Sequence, residues 1–112
     1  MRVAGRELDT AVSKALDNRW KVAIGYDEKG EPILDIPPFS ISEEWAWAVV
    51  RTLWEKGYSL QMFDIDQEDC SGYVVGFAQV PTELDEMQGH YSHTMPMAVC
   101  VAALETLEEA DD

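Results

Sequence analysis

The sequence predicts an α+β fold in which three helices and a small, mainly antiparallel sheet form a layered α/β/α sandwich. Three segments repeat their apolar residues with the period of a helix, one near each end of the chain and one in the middle. Between them lie short apolar segments separated by turn residues, a pattern typical of β-hairpins. With 112 residues, 46% of them apolar, the chain is predicted to be one domain, 1–112, with a single core.

The first helix is predicted over residues 5–18 and is amphipathic. Residues 20–24 and 33–36 are predicted to form a strand pair, joined by a turn at 27–30 and ended by two prolines that cannot donate a backbone hydrogen bond. The helix face expected to be buried consists of Leu8, Ala11, Val12, Ala15 and Leu16. The face expected to be in solvent consists of Glu7, Asp9, Ser13, Lys14 and Asp17.

The second helix is predicted to begin at Ser40 or Ser42 and to end at Gly57, a residue suited to the left-handed conformation after a helix. In the strand that follows, Phe63 and Ile65 continue the apolar pattern on the opposite phase. This change of phase predicts either a β-bulge or a strand buried on both faces. The remaining predictions are a loop at 66–72, a strand from 73, an acidic loop at 82–88 and a short edge strand at 89–93.

The last helix is predicted over 96–107, with an acidic tail at 105–112. Negative charge opposes the dipole at a helix C-terminus, so the tail is expected to fray. The residues predicted to form the core are Val12, Leu16, Val49, Leu53, Leu60, Val75, Phe77, Cys100 and Leu104.

Charge is distributed very unevenly along the chain. The first thirty residues carry six basic and five acidic side chains, whereas the rest carries two basic and seventeen acidic ones. No lysine or arginine follows Lys56, and the net charge is −14. Such a surface repels nucleic acid and membranes and attracts basic partners. Solubility alone is the other explanation of an acidic composition.

The composition predicts a soluble cytoplasmic protein. No apolar run approaches the roughly 20 residues that span a bilayer, and the first residues lack the apolar region of a signal peptide. Cys70 and Cys100 are expected to stay reduced in that compartment.

Three segments resemble the phage ABA sandwich domain, a family of small bacteriophage and prophage proteins. The resemblance covers about half the chain and implies an α/β/α sandwich and a phage origin, hence the cytoplasm of a bacterial host. It implies no activity, cofactor or catalytic residue. The sequence departs from the family at the charged residues 27–31 and in the loop at 82–88. The segments are Arg6-Glu7-Leu8-Asp9 with Ala11-Val12, then Pro38-Phe39-Ser40 with Ala46-Trp47 and Val49-Val50, then Ala98, Cys100 and Ala102-Ala103-Leu104.

No metal or other cofactor is predicted. His90 and His93 are three residues apart on an expected strand, where they would point to opposite faces and could not share one ion. The acids from Asp64 onward lack the glycine and the glutamate that a calcium loop requires. The chain also lacks a nucleophile elbow and a phosphate-binding glycine loop. An enzyme is therefore not expected.

Two groups of residues are candidates for binding another protein. Trp47 and Trp54 share one margin of the second helix, where core packing is the commoner role and a partly exposed aromatic pair is the alternative. The second group consists of acids expected in exposed turns, namely Asp64, Asp66, Glu68, Asp69, Glu83, Asp85 and Glu86.

These observations predict a non-enzymatic, phage-encoded accessory protein that binds the basic face of a host or phage protein. The most concrete version is an acidic inhibitor that imitates nucleic acid and blocks a host defence complex such as CRISPR or restriction machinery. A phage assembly or morphogenesis component is the first alternative. A small hydrolase or ligand-sequestering protein that uses the acidic loop and the histidines is the second.

Overall fold

The computed structural model describes residues 3–67, 70–79 and 89–110, and these residues form three helices and two antiparallel sheets. The predicted α+β class is therefore confirmed. The helices are α1 (Arg6–Ala15), α2 (Glu43–Glu55) and α3 (Met95–Ala110). The strands are β1 (Val22–Tyr26), β2 (Pro32–Asp35), β3 (Tyr58–Gln67), β4 (Cys70–Gln79) and β5 (His90–Ser92).

The two ends of α2 follow from local sequence chemistry. Ser42 is the N-cap, and its hydroxyl oxygen accepts a hydrogen bond from the Trp45 N–H at 3.4 Å, which satisfies one of the free donors of the first turn. At the other end Gly57 has a φ of 95°, a left-handed conformation that costs a glycine little. The predicted end of this helix is confirmed, and of the two candidate serines Ser42 caps it.

Ser40 instead joins the segment before α2 to the start of α1. Its backbone N–H donates to Asp9 Oδ1 at 2.7 Å, and its hydroxyl oxygen accepts from the Gly5 N–H at 2.9 Å. Asp9 is 5% exposed and Ser13 is fully buried, so the prediction that both face solvent is wrong. From the helical period alone, the carboxylate of Asp9 was expected to be hydrated. In the structure it is buried and accepts a hydrogen bond from a buried backbone N–H instead. We call the contacts among Gly5, Asp9 and Ser40 the α1–α2 junction.

Residues 22–35 form a two-stranded hairpin, which we call the arm. In its turn Asp27 Oδ1 accepts from the backbone N–H groups of Lys29 and Glu31 at 2.9 Å each, and Gly30 has a φ of 79°. The register shifts between Ala23 and Gly25, so the strands pair with a local irregularity. The predicted strand pair and its turn are confirmed.

The second sheet has the order β3-β4-β5. β3 and β4 pair without a break from Tyr58 with Gln79 to Gln67 with Cys70, so the predicted loop at 66–72 is wrong. The predicted alternatives for β3 are also wrong, since its register has no bulge and Phe63 is 60% exposed. Large side chains enter the core from one face of this sheet, the face of Tyr58, Leu60, Tyr73, Val75 and Phe77.

The core is centred on α3, which packs against α1, α2, β4 and β5. Eight of the nine predicted core residues are buried, and Leu60 is partly buried against them. The helix extends to Ala110, three residues beyond its predicted end, while the fraying of the acidic tail stays a prediction. The buried side chains of α3 are Ala98, Val99, Cys100, Ala102, Ala103 and Leu104, among others. The three alanines among them are small and let the neighbouring elements come close to this helix.

Truncating the core should test the assignment of the helix faces. Leu53 on α2 is fully buried, and we expect Leu53→Ala to lower the free energy of unfolding by about 2–5 kcal/mol, because it removes buried methyl groups and leaves a cavity. The matched control is Leu34→Ala in the arm, where the same side chain is largely exposed and the loss should be under about 1 kcal/mol. Urea unfolding measures both, and equal losses would contradict the assignment.

The α1–α2 junction gives a second prediction about stability, which concerns Asp9. Asp9→Ala leaves the buried Ser40 N–H without its acceptor, which should cost about 1–3 kcal/mol of unfolding free energy. Asp9→Asn keeps an acceptor oxygen and should cost less. Glu7→Ala, an exposed acid on the same turn, is the control. Thermal unfolding of the four proteins would reject the junction if Asp9→Ala were as stable as Glu7→Ala.

Candidate functional site

The acidic candidates fall into two sets. Asp64 and Asp66 lie on β3, two residues apart on one face of the strand, and both are exposed. They therefore belong to a strand rather than to the predicted turn, because each is paired with a residue of β4. The other candidates, Glu68, Asp69, Glu83, Asp85 and Glu86, lie outside the described residues.

The two tryptophans predicted as binding candidates are exposed on the outer side of α2. Trp47 exposes 44% and Trp54 56% of its surface, so the core-packing alternative is wrong for both. The buried side of α2 is already filled by Ala46, Val49, Val50 and Leu53, which leaves no space for the two tryptophans. Exposed tryptophan is characteristic of protein-binding surfaces.

The other two tryptophans hold the loop before the arm against α2. Trp20 Nε1–H donates to Thr52 Oγ1 at 2.9 Å, and the Trp20 ring meets the Trp45 ring edge to face at a centroid distance of 6.1 Å. Arg19 stacks over Trp20 at 5.0 Å and pairs with Glu55. This pair lowers the pKa of Glu55, chiefly through the hydrogen bond from Arg19. The start of the arm is thereby fixed to α2.

The end of the arm is fixed to α1 by a bidentate ion pair. Arg6 donates to both carboxylate oxygens of Asp35, at 2.9 and 3.0 Å, the geometry in which guanidinium binds carboxylate best. The hydrogen bond from Arg6 is the main cause that lowers the pKa of Asp35, and the backbone N–H of Ile36 adds to it.

Between these two anchors the arm presents apolar residues to solvent. Ile24 is 63% and Tyr26 72% exposed, and Ile33 and Leu34 are exposed as well. Apart from their pairing with each other and the ion pair between Arg6 and Asp35, β1 and β2 pack against no other helix or strand among those described. The sequence did not predict this surface, because an apolar strand pattern does not reveal whether another element covers the strand.

The histidines lie at the short strand β5 and show no metal geometry. His93 Nδ1 lies 3.3 Å from the Ser71 carbonyl oxygen and 3.2 Å from the Tyr91 hydroxyl, which itself donates to that carbonyl. Tyr91 lies across Gly72, where an added Cβ would come within 3.0 Å of its ring. Within the described residues no group of three potential metal ligands occurs. These contacts support a structural role for His93 and Tyr91 in holding β5 on β4.

Cys100 is fully buried in α3 and is not an activated nucleophile. Burial raises the pKa of its thiol well above the ordinary range, and the nearby charge of Asp9 raises it further. A thiol in this state stays protonated at neutral pH and reacts slowly. The side chain of Cys70 lies outside the described residues.

Two open grooves are lined by residues of α1 and α3, and both include Ala11. The first is lined by Leu8, Met97 and Val101 together with the acids Glu7 and Glu105. The second lies beside Lys14, Lys56, Tyr58 and Leu107, among others. Neither groove brings a histidine or a cysteine next to a carboxylate among the residues that line it.

No family model matches the sequence, and no curated protein matches it significantly. The resemblance to the phage ABA sandwich domain therefore stays a prediction. Among solved structures, the chain is similar to a phage protein from Bacillus cereus ATCC 14579, determined at 2.0 Å. The TM-score is 0.59 and the identity 23%, over 93% of this chain and 94% of that one. At this identity the similarity shows a shared fold.

The described part of the chain contains no helix that is both long and apolar enough to span a bilayer.

The ion pair between Arg6 and Asp35 predicts how the arm responds to acid. Because the pKa of Asp35 is lowered in the folded protein, the contact is fully present above the ordinary aspartate value of about 3.9. It is lost only as the pH falls through the lowered value. NMR titration of the Asp35 carboxyl carbon should show a midpoint below that of an unpaired aspartate.

Arg6→Gln supplies the control for this titration. It removes the charged partner and should return the Asp35 midpoint toward its ordinary value, with faster amide hydrogen exchange in residues 22–35. An unchanged midpoint in this variant would show that Arg6 does not hold the arm.

Proposed function

We propose that this is a phage-encoded accessory protein that acts without catalysis, by binding the basic surface of another protein. In its most concrete form it inhibits a host defence complex, such as CRISPR or restriction machinery, by occupying a groove that normally binds nucleic acid. The observation that carries the proposal is the exposure of Asp64 and Asp66 on one face of β3, in a half of the chain where no basic residue follows Lys56.

The phage origin is supported by the fold shared with the phage protein from Bacillus cereus. The three segments that resemble the phage ABA sandwich domain support it independently. Two of these segments, Arg6-Glu7-Leu8-Asp9 and Pro38-Phe39-Ser40, meet in the α1–α2 junction. Their resemblance therefore concerns the framework of the fold and not a reactive site.

Asp64 and Asp66 repeat a negative charge along one face of a strand at a spacing of about 6.8 Å. A phosphate backbone also repeats its negative charge at regular steps. Because β3 is paired with β4, the backbone that carries Asp64 and Asp66 is ordered before binding. Little backbone entropy is therefore lost when these residues bind a partner. A basic groove would also relieve the repulsion that the surplus of negative charge creates.

The arm favours the alternative function in phage assembly. Its exposed residues Ile24, Tyr26, Ile33 and Leu34 form an apolar hairpin that projects from two anchored ends. Hairpins of this kind add to the edge of a sheet in another protein. An assembly component would use the arm, whereas an acidic inhibitor would use β3, so variants of the two elements distinguish the functions.

Charge reversal on β3 tests the proposal. Affinity capture from a bacterial lysate would first identify a partner, and binding of the purified pair would then be measured by surface plasmon resonance. We expect Asp64→Lys with Asp66→Lys to abolish binding and to leave the fold intact, because both side chains are exposed. Association of the unmodified protein should slow steeply as salt rises toward half-molar.

The matched control reverses two exposed acids of the arm, Glu28→Lys with Glu31→Lys. It changes the net charge by the same amount and should bind nearly normally if β3 is the interface. Deleting residues 108–112 should weaken binding only slightly. Loss of binding in the arm variant, with normal binding by the β3 variant, would instead support the assembly function.

A further inference from the structure

The outer side of α2 carries a row of five exposed residues, which we call the α2 row. It begins at Ile41, one residue before the N-cap, and continues through Glu44, Trp47, Arg51 and Trp54. The four helical members are three or four residues apart, so they lie along one side of the helix. Two large aromatic groups in a row of this length form an apolar surface that α3 and β3, on the other side of α2, do not cover.

The α2 row is complementary to itself when it is read in the opposite direction. If two copies of the helix pack antiparallel about a twofold axis, positions at equal distances from the axis meet across the interface. With the axis between positions 47 and 48, Glu44 meets Arg51 of the second copy, and Ile41 meets Trp54. Trp47 lies beside the axis and meets its own counterpart. Each charge thus faces the opposite charge, and each apolar residue faces an apolar one.

From this arrangement we propose that the protein forms a homodimer in which α2 packs antiparallel against α2 of a second copy. Neither the Glu44 nor the Arg51 side chain makes a hydrogen bond or a close ion pair with another described residue, and the charge of Arg51 acts on Glu55 only as a minor cause of its lowered pKa. Both are therefore available to a second molecule. In the dimer they form two symmetry-related ion pairs that flank a centre of stacked tryptophan.

Charge selects a second copy as the occupant of the α2 row. A purely basic partner would leave Arg51 facing like charge, and a purely acidic partner would do the same to Glu44. A second copy satisfies both and adds no net charge at the interface. The repulsion between two molecules of net charge −14 acts mainly at longer range, where physiological salt screens it within about 8 Å.

The dimer is independent of the partner proposed above, because Asp64 and Asp66 lie on β3 and not on α2. Two copies joined through α2 would present two acidic hairpins on one particle. The variant Asp64→Lys with Asp66→Lys should therefore dimerise like the unmodified protein. Failure of one proposal is in this way distinguishable from failure of the other.

Sedimentation equilibrium at physiological salt measures the association directly, since the monomer mass is 12.6 kDa. We expect Trp47→Ala and Trp54→Ala each to raise the dissociation constant at least about thirtyfold, as the loss of an interface anchor does. Phe63→Ala, which removes an exposed aromatic residue of β3, should leave it unchanged. Circular dichroism would verify that each variant is folded.

A charge swap tests the antiparallel pairing itself. Glu44→Arg or Arg51→Glu alone places like charges opposite each other and should weaken the dimer about tenfold or more. The double variant Glu44→Arg with Arg51→Glu restores opposite charges at both pairs and should recover the original dissociation constant to within about threefold. The two positions are seven residues apart on one helix, so pairing within a single copy does not explain such a rescue.

Three results would overturn the proposal. The first is a protein that stays monomeric up to about 1 mM, where even weak specific association is detectable. The second is a dimer that the two tryptophan variants leave intact. The third is a double variant that associates no better than the single reversals, which would exclude the antiparallel arrangement.

Discussion

The buried carboxylate of Asp9 is the contact on which the arrangement of the helices depends. It lies on the first turns of α1 and accepts the backbone N–H of Ser40, while Ser40 returns a hydroxyl contact to Gly5. A buried carboxylate needs a hydrogen-bond donor, and the Ser40 N–H supplies one, so these segments meet in a defined orientation. The junction thus fixes α1 relative to α2, although these two helices do not pack directly against each other.

Between these two helices lies α3, whose small side chains determine how closely the layers approach. Ala98, Ala102 and Ala103 are buried, and they let neighbouring backbone come near without cavities. The α1–α2 junction fixes where the segments before the two helices meet, and the alanines of α3 determine how closely α1 and α2 approach α3. Stability is therefore concentrated in the helical layer, while the charged and aromatic surfaces lie on its outside.

Much of the fold was predictable because apolar period and capping chemistry are local. Val49, Leu53 and Gly57 sufficed to place α2 and its end. The burial of Asp9 was not predictable, since its partner Ser40 is 31 residues away and no local pattern links them. Trp47 and Ile24 show the opposite case, in which an apolar residue is exposed. Their hydrophobicity indicates a contact but does not show whether that contact is made within the same chain.

For the candidate site, the acids of β3 were identified from charge alone, but their placement on a strand was not. The sequence around Asp66 resembles a polar turn, whereas the pairing of Tyr58–Gln67 with Cys70–Gln79 carries the strand through it. Cross-strand pairing is a non-local interaction and overrides the turn propensity of single residues. The backbone that carries the exposed carboxylates is for this reason held in a regular strand.

The isolation of the arm has a consequence for how such a protein changes over evolutionary time. Its strands pair only with each other among the described elements, and Ile24 and Tyr26 are exposed, so substitutions at these two positions remove no buried core contact. Selection for stability therefore places little constraint on these positions, and selection for recognition can act on them freely. A chain built in this way can acquire a new specificity through its arm while the helical framework stays the same.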